Sequence, residues 1–183
     1  LGYEREGEGA AATFRPPPGR RAIFLGDLID RGPKIVPVLE LAMSMVAAGH
    51  ALCLPGNHEM KLLRKLRGKA VKLTHGLQQT LDQLAEAPQE LSAKVAGFID
   101  TLVSHYVLDD GNLVVAHAGL KEELQGRGSA VVRTFCLFGE TSGETDEYGL
   151  PIRYDWATDY RGRAMVVYGH TPVPAPEWVN RTI

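Results

Sequence analysis

The chain has 183 residues, of which 44% are hydrophobic and 23% are charged. This length and composition fit one soluble domain with a real core. The formal net charge of −2 excludes an overall basic character, so a role with nucleic acid would need a local patch. No apolar run approaches membrane-spanning length, and two cysteines without a signal peptide indicate a cytoplasmic location.

The N-terminal segment, residues 1–20, is rich in Gly, Ala and Pro between Gly7 and Gly19. This composition predicts a loop or a truncated lead-in before the first strand. The chain starts at Leu1 rather than Met and stops abruptly at Ile183. We therefore expect residues 1–183 to form one partial domain that is incomplete at both ends.

The first half of the chain then predicts a βαβ unit followed by helices. The apolar run 22–25 predicts a buried strand, and the run 50–54 predicts a second strand parallel to it. Between them, an apolar face at helical spacing predicts a helix with Pro33 in its first turn and Gly49 at its end. Helical periodicity continues in three further segments, which are 58–67, 77–84 and 91–102, with Pro88 in the first turn of the last.

The second half predicts more strands and a long connection. Residues 107–114 indicate a hairpin with Asp-Gly at its turn. A short helix is expected over 131–137, and the acidic, Gly-rich stretch 140–149 predicts a long functional loop. A last strand is expected over 164–168, and 178–183 begins another β-like run.

Four apolar runs lead directly into polar, glycine-containing motifs. The motifs are Gly26–Gly32, Gly56–Glu59, His117–Gly119 and Gly169–Pro172. Two carboxylates at one strand end need a metal, a cation or a catalytic partner, because desolvating them alone is costly. A single histidine at a strand end is more often a structural residue, but four strand ends that supply Asp, Asn, His and His favour a functional site.

In this order, the four motifs resemble the calcineurin-like metallophosphoesterase superfamily. The resemblance covers nearly the whole chain after the first twenty residues. It implies an α/β fold of α+β character, with a metallophosphoesterase-type β-sandwich core flanked by helices. It also implies a binuclear-metal phosphoric ester hydrolase.

The resemblance implies two divalent metal ions, with Mn expected first and Ni, Fe or Zn as alternatives. Asp27 would bridge them, and Asn57, His117 and His170 would complete the ligand set of one. The second ion would use an Asp-x-His motif that lies upstream in the family, and this sequence contains none. We therefore expect a polypeptide of residues 1–183 alone to hold one ion poorly and to have weak or no activity.

Catalytic roles are implied for three further side chains. His58 would protonate the leaving alkoxide, and Asp30 would hold the His58 imidazole. Arg31 would grip the phosphoryl oxygens, with Asn57 as a second contact to the substrate phosphate. The resemblance calls for no nucleophilic Ser or Cys.

A narrower resemblance concerns the segments 139–147, 150–154 and 160–164. They resemble the central phosphatase domain of bacterial polynucleotide kinase-phosphatase, a family that heals RNA ends. It implies hydrolysis of 2′- or 3′-terminal, or cyclic 2′,3′, phosphates at RNA 3′ ends in RNA repair. It also implies kinase and nucleotidyl-transferase domains in the same polypeptide, and no membrane partner.

Two other functions stay open at this point. One is a serine/threonine protein phosphatase or a dinucleoside polyphosphate hydrolase of the same fold, because the four motifs do not separate these substrates. The other is a non-catalytic module that binds phosphate or metal, which the missing Asp-x-His motif would favour. A GDxHG motif just before Leu1 would favour an enzyme.

Several charged residues outside the motifs have both a structural and a functional interpretation. The basic stretch 61–72 is either a solvated helix face or a surface that attracts a phosphate chain beside His58. Five arginines are either surface ion-pair partners or phosphate contacts, namely Arg127, Arg133, Arg153, Arg161 and Arg163. We expect His50, His75 and His105 to be structural or surface residues, and Cys53 to be a core hydrophobe.

Overall fold

A computed structural model describes residues 1–9, 12–147 and 151–183. The chain has mixed α/β structure, as predicted, and it divides into two compact units, Leu1–Leu102 and Val103–Ile183. No helix within the described residues is both long enough and apolar enough to cross a membrane.

The first unit begins with a β-hairpin where we expected a loop. Strand β1 (Glu4–Glu6) pairs antiparallel with β2 (Thr13–Arg15). The Arg15 guanidinium lies 2.7 Å from the Glu4 carboxylate and 3.1 Å from that of Glu6. These strands were not predicted because the segment is short and rich in charged residues, and it lacks the apolar periodicity from which a strand is recognised. Residues 10 and 11, within the predicted loop, lie outside the described residues.

The predicted βαβ unit is confirmed. Strand β3 (Ala22–Phe24) pairs in parallel with β4 (Ala51–Cys53), and helix α1 (Ile35–Ala47) connects them. The helix begins two residues after Pro33, so the prediction that Pro33 lies in its first turn was wrong. The side chains of β3 are half-buried rather than buried, whereas Ala51 and Cys53 of β4 are buried.

Three more helices complete the first unit. They are α2 (Asn57–Leu66), α3 (Leu77–Glu86) and α4 (Gln89–Thr101), as the periodicity predicted. Pro88 caps α4 instead of occupying its first turn. Their apolar faces and that of α1 form one core, which includes the fully buried Leu39, Leu62, Leu77, Val95 and Ile99.

The second unit contains a three-stranded sheet. The predicted hairpin is present, with β5 (His105–Leu108) antiparallel to β6 (Leu113–Ala116). Strand β9 (Met165–Val167), which comes near the end of the chain, pairs in parallel with β6. The backbone of Arg181 and Ile183 hydrogen-bonds with Val166, so the final β-like run lies beside this strand.

Between β6 and β9 the chain forms α5 (Ala130–Phe138), a hairpin of β7 (Thr141–Thr145) with β8 (Pro151–Arg153), and the short helix α6 (Trp156–Asp159). The expected loop over 140–149 was therefore wrong for Thr141–Thr145, and residues 148–150 lie outside the described residues. Trp156 is buried at the centre of this unit and makes edge-to-face contacts with Phe135 and Tyr160.

Both cysteines are buried free thiols, one in each unit. Burial raises the pKa of Cys53 and of Cys136 to about 12. Because the thiolate is the reactive form, we expect neither thiol to react quickly with a thiol reagent at pH 8 in the native protein. A titration with Ellman's reagent tests this: both thiols should react only after denaturant is added, and rapid reaction of either in the native state would contradict it.

Candidate active site

The loop that follows β3 has an unusual backbone. Asp27, Asp30 and Arg31 all have positive φ, at 53°, 67° and 57°. Residues with a Cβ rarely adopt this conformation, and it persists only where surrounding contacts hold it. The contacts that hold this loop come from α2 and α3.

Glu59 of α2 anchors the start of the loop. Its carboxylate accepts hydrogen bonds from the backbone N–H groups of Asp27 at 2.8 Å, Leu28 at 2.7 Å and Gly56 at 2.7 Å. The side chain is 1% exposed. Burial raises the pKa of the Glu59 carboxyl above its ordinary value, the Asp27 charge raises it further, and the three N–H donors oppose both effects.

No role was predicted for Glu59, although it lies in one of the four motifs. Its position was informative, because Glu three residues after the N-cap Gly56 fits the second half of a capping box. A helix start with that pattern directly after a strand predicts a carboxylate turned back toward the strand end.

Asp30, His58 and Arg31 form a connected set of side chains. His58 Nδ1 lies 2.5 Å from Asp30 Oδ2, and Arg31 Nη2 lies 3.2 Å from His58 Nε2. Thr80 of α3, which the sequence analysis missed, donates to Asp30 Oδ1 at 2.5 Å and accepts from the Asp30 backbone N–H at 3.0 Å. The structure thus brings together the three residues that we expected to be catalytic.

These partners define the state of the His58 ring. A guanidinium has no acceptor, so Nε2 must accept the hydrogen bond from Arg31. The ring N–H is then at Nδ1, which donates to the buried carboxylate of Asp30. Nε2 lies toward the loop that carries Arg31, whose guanidinium contacts it.

Gly56 allows the two motifs of the first unit to approach. A Cβ at this position would overlap Asp27 Oδ1 and lie 2.7 Å from the Asp27 backbone nitrogen. The residue that follows is Asn57, the first residue of α2. The absence of a side chain at Gly56 therefore leaves the space that the Asp27 carboxylate occupies, and Asn57 is the residue that follows Gly56.

Replacing Gly56 by alanine should displace Asp27 without requiring an unusual backbone, because φ at Gly56 is −90°. We expect kcat/KM in the full-length protein to fall about 100-fold, as misplacing a reactive group by about 1 Å can do. Gly97→Ala is the matched control, since a Cβ there meets nothing within 4 Å on α4. Wild-type kcat/KM in Gly56→Ala would contradict this account.

The second unit carries the two remaining candidate ligands, His117 and His170. His117 follows β6 and His170 follows β9, and the two strands are parallel neighbours. His117 Nε2 lies 3.0 Å from His170 Nδ1, and the Gly169 N–H donates to the His117 carbonyl. Two ring nitrogens that converge in this way suit a shared cation, for which imidazole is a common ligand.

A cavity of about 500 Å³ lies in the second unit beside His170. Aromatic side chains line much of it, among them Tyr154, Trp156 and Tyr168. Of the five arginines considered above, Arg153 lines it, and its Nη1 donates to Thr171 Oγ1 at 3.1 Å. Arg161 instead donates to the backbone carbonyls of Thr158 and Tyr160.

The basic stretch of the first unit is partly used in structural contacts. Lys61 Nζ donates to Thr74 twice at 2.9 Å, and Arg67 pairs with Asp100 at 2.8 Å. In the second unit, His105 has a structural contact, since its Nε2 accepts from the Gly126 N–H at 3.0 Å. Both observations fit the structural interpretation of these residues.

Comparison with known proteins gives consistent results. The profile of the calcineurin-like phosphoesterase family matches residues 10–174. Three relatives, each named bis(5′-nucleosyl)-tetraphosphatase PrpE (asymmetrical), come from Geobacillus sp. WCH70, Anoxybacillus flavithermus and Bacillus subtilis. They are 42%, 40% and 43% identical to this chain over 100%, 91% and 90% of its length, and the matches cover 75%, 70% and 69% of the relatives.

A solved structure, "Crystal structure of a putative diadenosine tetraphosphatase", is 25% identical with a TM-score of 0.52. It matches 82% of this chain, which spans 61% of that one. Fold and comparisons together define a metal-dependent phosphoester hydrolase. The chain belongs to the calcineurin-like phosphoesterase family, whose chemistry implies divalent metal ions.

The narrower resemblance to polynucleotide kinase-phosphatase was wrong, and so was the RNA-repair function drawn from it. The named relatives are dinucleoside tetraphosphatases, which matches the alternative of a dinucleoside polyphosphate hydrolase. Of the segments that carried the narrower resemblance, residue 150 lies outside the described residues. Membership in a family of hydrolases also disfavours the non-catalytic module.

Proposed function

We propose that this protein hydrolyses dinucleoside tetraphosphates asymmetrically in a metal-dependent reaction. The observation that carries this proposal is identity of 40–43% with bis(5′-nucleosyl)-tetraphosphatases over at least 90% of the chain. The cluster of Asp30, His58 and Arg31 supports it, because it combines a guanidinium with a histidine held by a carboxylate. Phosphoryl transfer depends on positioning and on stabilisation of charge, which a guanidinium provides, and a positioned histidine can transfer a proton.

We further propose Asp27, Asn57, His117 and His170 as metal ligands. The set mixes a carboxylate, an amide and two imidazoles, which suits Mn²⁺ first and also Ni, Fe or Zn. Two observations support the fit of these residues to a metal ion. In the second unit, His117 Nε2 lies 3.0 Å from His170 Nδ1, and in the first unit the Asp27 carboxylate packs closely against Gly56. A divalent ion would lower the pKa of water and neutralise charge on the phosphoryl oxygens.

Arg31 and Asn57 would contact the phosphoryl oxygens of the substrate. A guanidinium forms stronger hydrogen bonds with a phosphate than with a neutral imidazole nitrogen, because both partners are charged. An arriving substrate should therefore draw Arg31 away from His58 Nε2. That nitrogen can then carry a proton toward the leaving group while Asp30 and Thr80 hold the ring.

The leaving group is easier to expel than the alkoxide considered in the sequence analysis. Asymmetrical cleavage adds water across one P–O–P bridge and yields a nucleoside triphosphate and a nucleoside monophosphate. The departing oxygen belongs to a phosphate, whose last pKa is about 6. It can leave as an anion near neutral pH, so a proton from His58 helps this reaction less than it would help an alkoxide.

A substrate comparison tests the proposal. The full-length protein, supplied with Mn²⁺, is assayed on diadenosine tetraphosphate and on a phosphoserine peptide, with His58→Ala measured in parallel. We expect kcat/KM to be higher for diadenosine tetraphosphate and to fall in the variant. A higher kcat/KM for the phosphopeptide would overturn the proposed substrate while leaving the family assignment in place.

A further inference from the structure

The cavity beside His170 has the size and the walls of a site for a small organic group. Its volume of about 500 Å³ lies within the range of small-molecule pockets. Phe138, Tyr154, Trp156 and Tyr168 contribute aromatic surface to it. Tyr154 is 56% exposed and Phe138 is 41% exposed, so their rings are accessible to a ligand.

The charges of the lining disfavour a polyphosphate within the cavity itself. Glu140, Asp155 and Glu177 contribute carboxylates, whereas Arg153 contributes a guanidinium. Lys121 pairs with Glu140 at 2.7 Å and offsets one of the three negative charges. Carboxylates accept hydrogen bonds, so this lining suits ribose hydroxyls and the amino group of a base better than it suits phosphate oxygens.

Arg153 provides the positive charge in the lining of the cavity, so a phosphate group would bind on the side where Arg153 lies. It donates a hydrogen bond to Thr171, the residue that follows His170 in the chain, and His170 is one of the proposed metal ligands. Tyr154, the next residue along the chain, donates its backbone N–H to the Glu140 carbonyl at 3.0 Å. Arg153, the last residue of β8, and Tyr154, which follows it, therefore both line the cavity.

We propose that this cavity binds one nucleoside moiety of the dinucleoside tetraphosphate. The base stacks on Tyr154, the carboxylates accept from the ribose and the base, and Arg153 contacts the phosphate chain where it passes toward His170. This assignment rests on the proposed function, because it assumes that the substrate is a dinucleoside tetraphosphate. It adds that recognition of the nucleoside resides in the second unit.

Tyr154→Ala and Tyr154→Phe test the role of the ring in the full-length protein. Loss of one stacked aromatic should raise KM for diadenosine tetraphosphate about ten-fold and change kcat little. Tyr154→Phe keeps the ring and should restore KM to within about two-fold of wild type. Trp178→Ala is the matched control, since Trp178 is 59% exposed in the same unit and does not line the cavity.

Binding of adenosine monophosphate, measured by calorimetry without turnover, separates this inference from the proposed function. We expect wild-type protein and Trp178→Ala to bind it alike, and Tyr154→Ala to bind it about ten times more weakly. Equal binding by Tyr154→Ala and wild type would overturn the nucleoside site, even if diadenosine tetraphosphate is hydrolysed. Weakened binding in Tyr154→Ala alone supports the site, even if another phosphoester proves to be the substrate.

Discussion

Replacing His58 by alanine is expected to lower kcat for diadenosine tetraphosphate about 100-fold. General acid catalysis contributes roughly 10²–10⁴-fold, and the lower end applies because a phosphate leaving group needs little protonation. The variant should keep its bound metal, since His58 is not among the proposed ligands. Measuring kcat together with metal content checks both expectations.

Asp30→Asn and the double variant show whether the two residues act as a unit. Asp30 contacts the His58 ring and Thr80, and its side chain is fully buried. It should therefore act on the reaction through His58, so that the double variant is no slower than His58→Ala. If the fold-losses in kcat of the two single variants multiply in the double variant, Asp30 has a role that is separate from that of His58. A wild-type kcat in His58→Ala would remove His58 from the mechanism.

Replacing Glu59 by alanine is expected to reduce the free energy of unfolding by about 3 kcal/mol. Each buried donor left unpaired costs about 1–3 kcal/mol, and Glu59 satisfies three backbone N–H groups. The loop of Gly26–Gly32 would also lose its anchor, so kcat/KM should fall with stability. Urea denaturation of the full-length protein measures the first effect.

A graded series separates this role of Glu59 from a general effect of losing a charge. Glu59→Gln retains an acceptor for Asp27 and Gly56 while turning a donor toward Leu28, so it should cost about 1–2 kcal/mol. Glu86→Ala is the control, because Glu86 is exposed on α3, and it should change stability by no more than about 0.5 kcal/mol. If Glu59→Ala were as mild as Glu86→Ala, the three hydrogen bonds would not anchor the loop.

The strands that carry the candidate site were predictable from the sequence. Short apolar runs that end in Gly-Asp, Gly-Asn or Gly-His mark β3, β4 and β9, because a buried or half-buried strand needs apolar residues and its polar end needs a tight turn. The same pattern located Asp27, Asn57 and His170, and the apolar run of β6, which leads into His117-Ala118-Gly119, located His117. The positions of these residues could therefore be predicted from local sequence patterns alone.

Thr80 was missed because its role depends on a contact that local patterns do not encode, whereas Glu59 was missed although its capping-box position was a local signal. Thr80 reaches Asp30 across 50 positions, and Glu59 reaches Asp27 across 32. On a helix, Thr80 has the pattern of an ordinary polar residue. The two short hairpins, β1–β2 and β7–β8, were missed because their strands are short, contain no buried residue and have no continuous apolar face that a sequence pattern could indicate.

The substrate was assigned wrongly because the four motifs describe phosphoryl chemistry and not the group attached to the phosphorus. Asp27, His58 and Arg31 would serve an RNA end and a dinucleoside tetraphosphate alike. Discrimination must come from residues beyond the motifs, and the segment that misled the sequence analysis is the one that contributes Arg153 and Tyr154 to the cavity. Its residues were noticed, but their partners were visible only in the structure.

Separation of the reaction products by anion-exchange chromatography tests the central claim most directly. Full-length protein is incubated with diadenosine tetraphosphate, once with Mn²⁺ and once after removal of metal by a chelator. We predict equal amounts of adenosine triphosphate and adenosine monophosphate with the metal, and no turnover without it. Adenosine diphosphate as the main product, or turnover that survives removal of the metal, would contradict an asymmetrical, metal-dependent hydrolase.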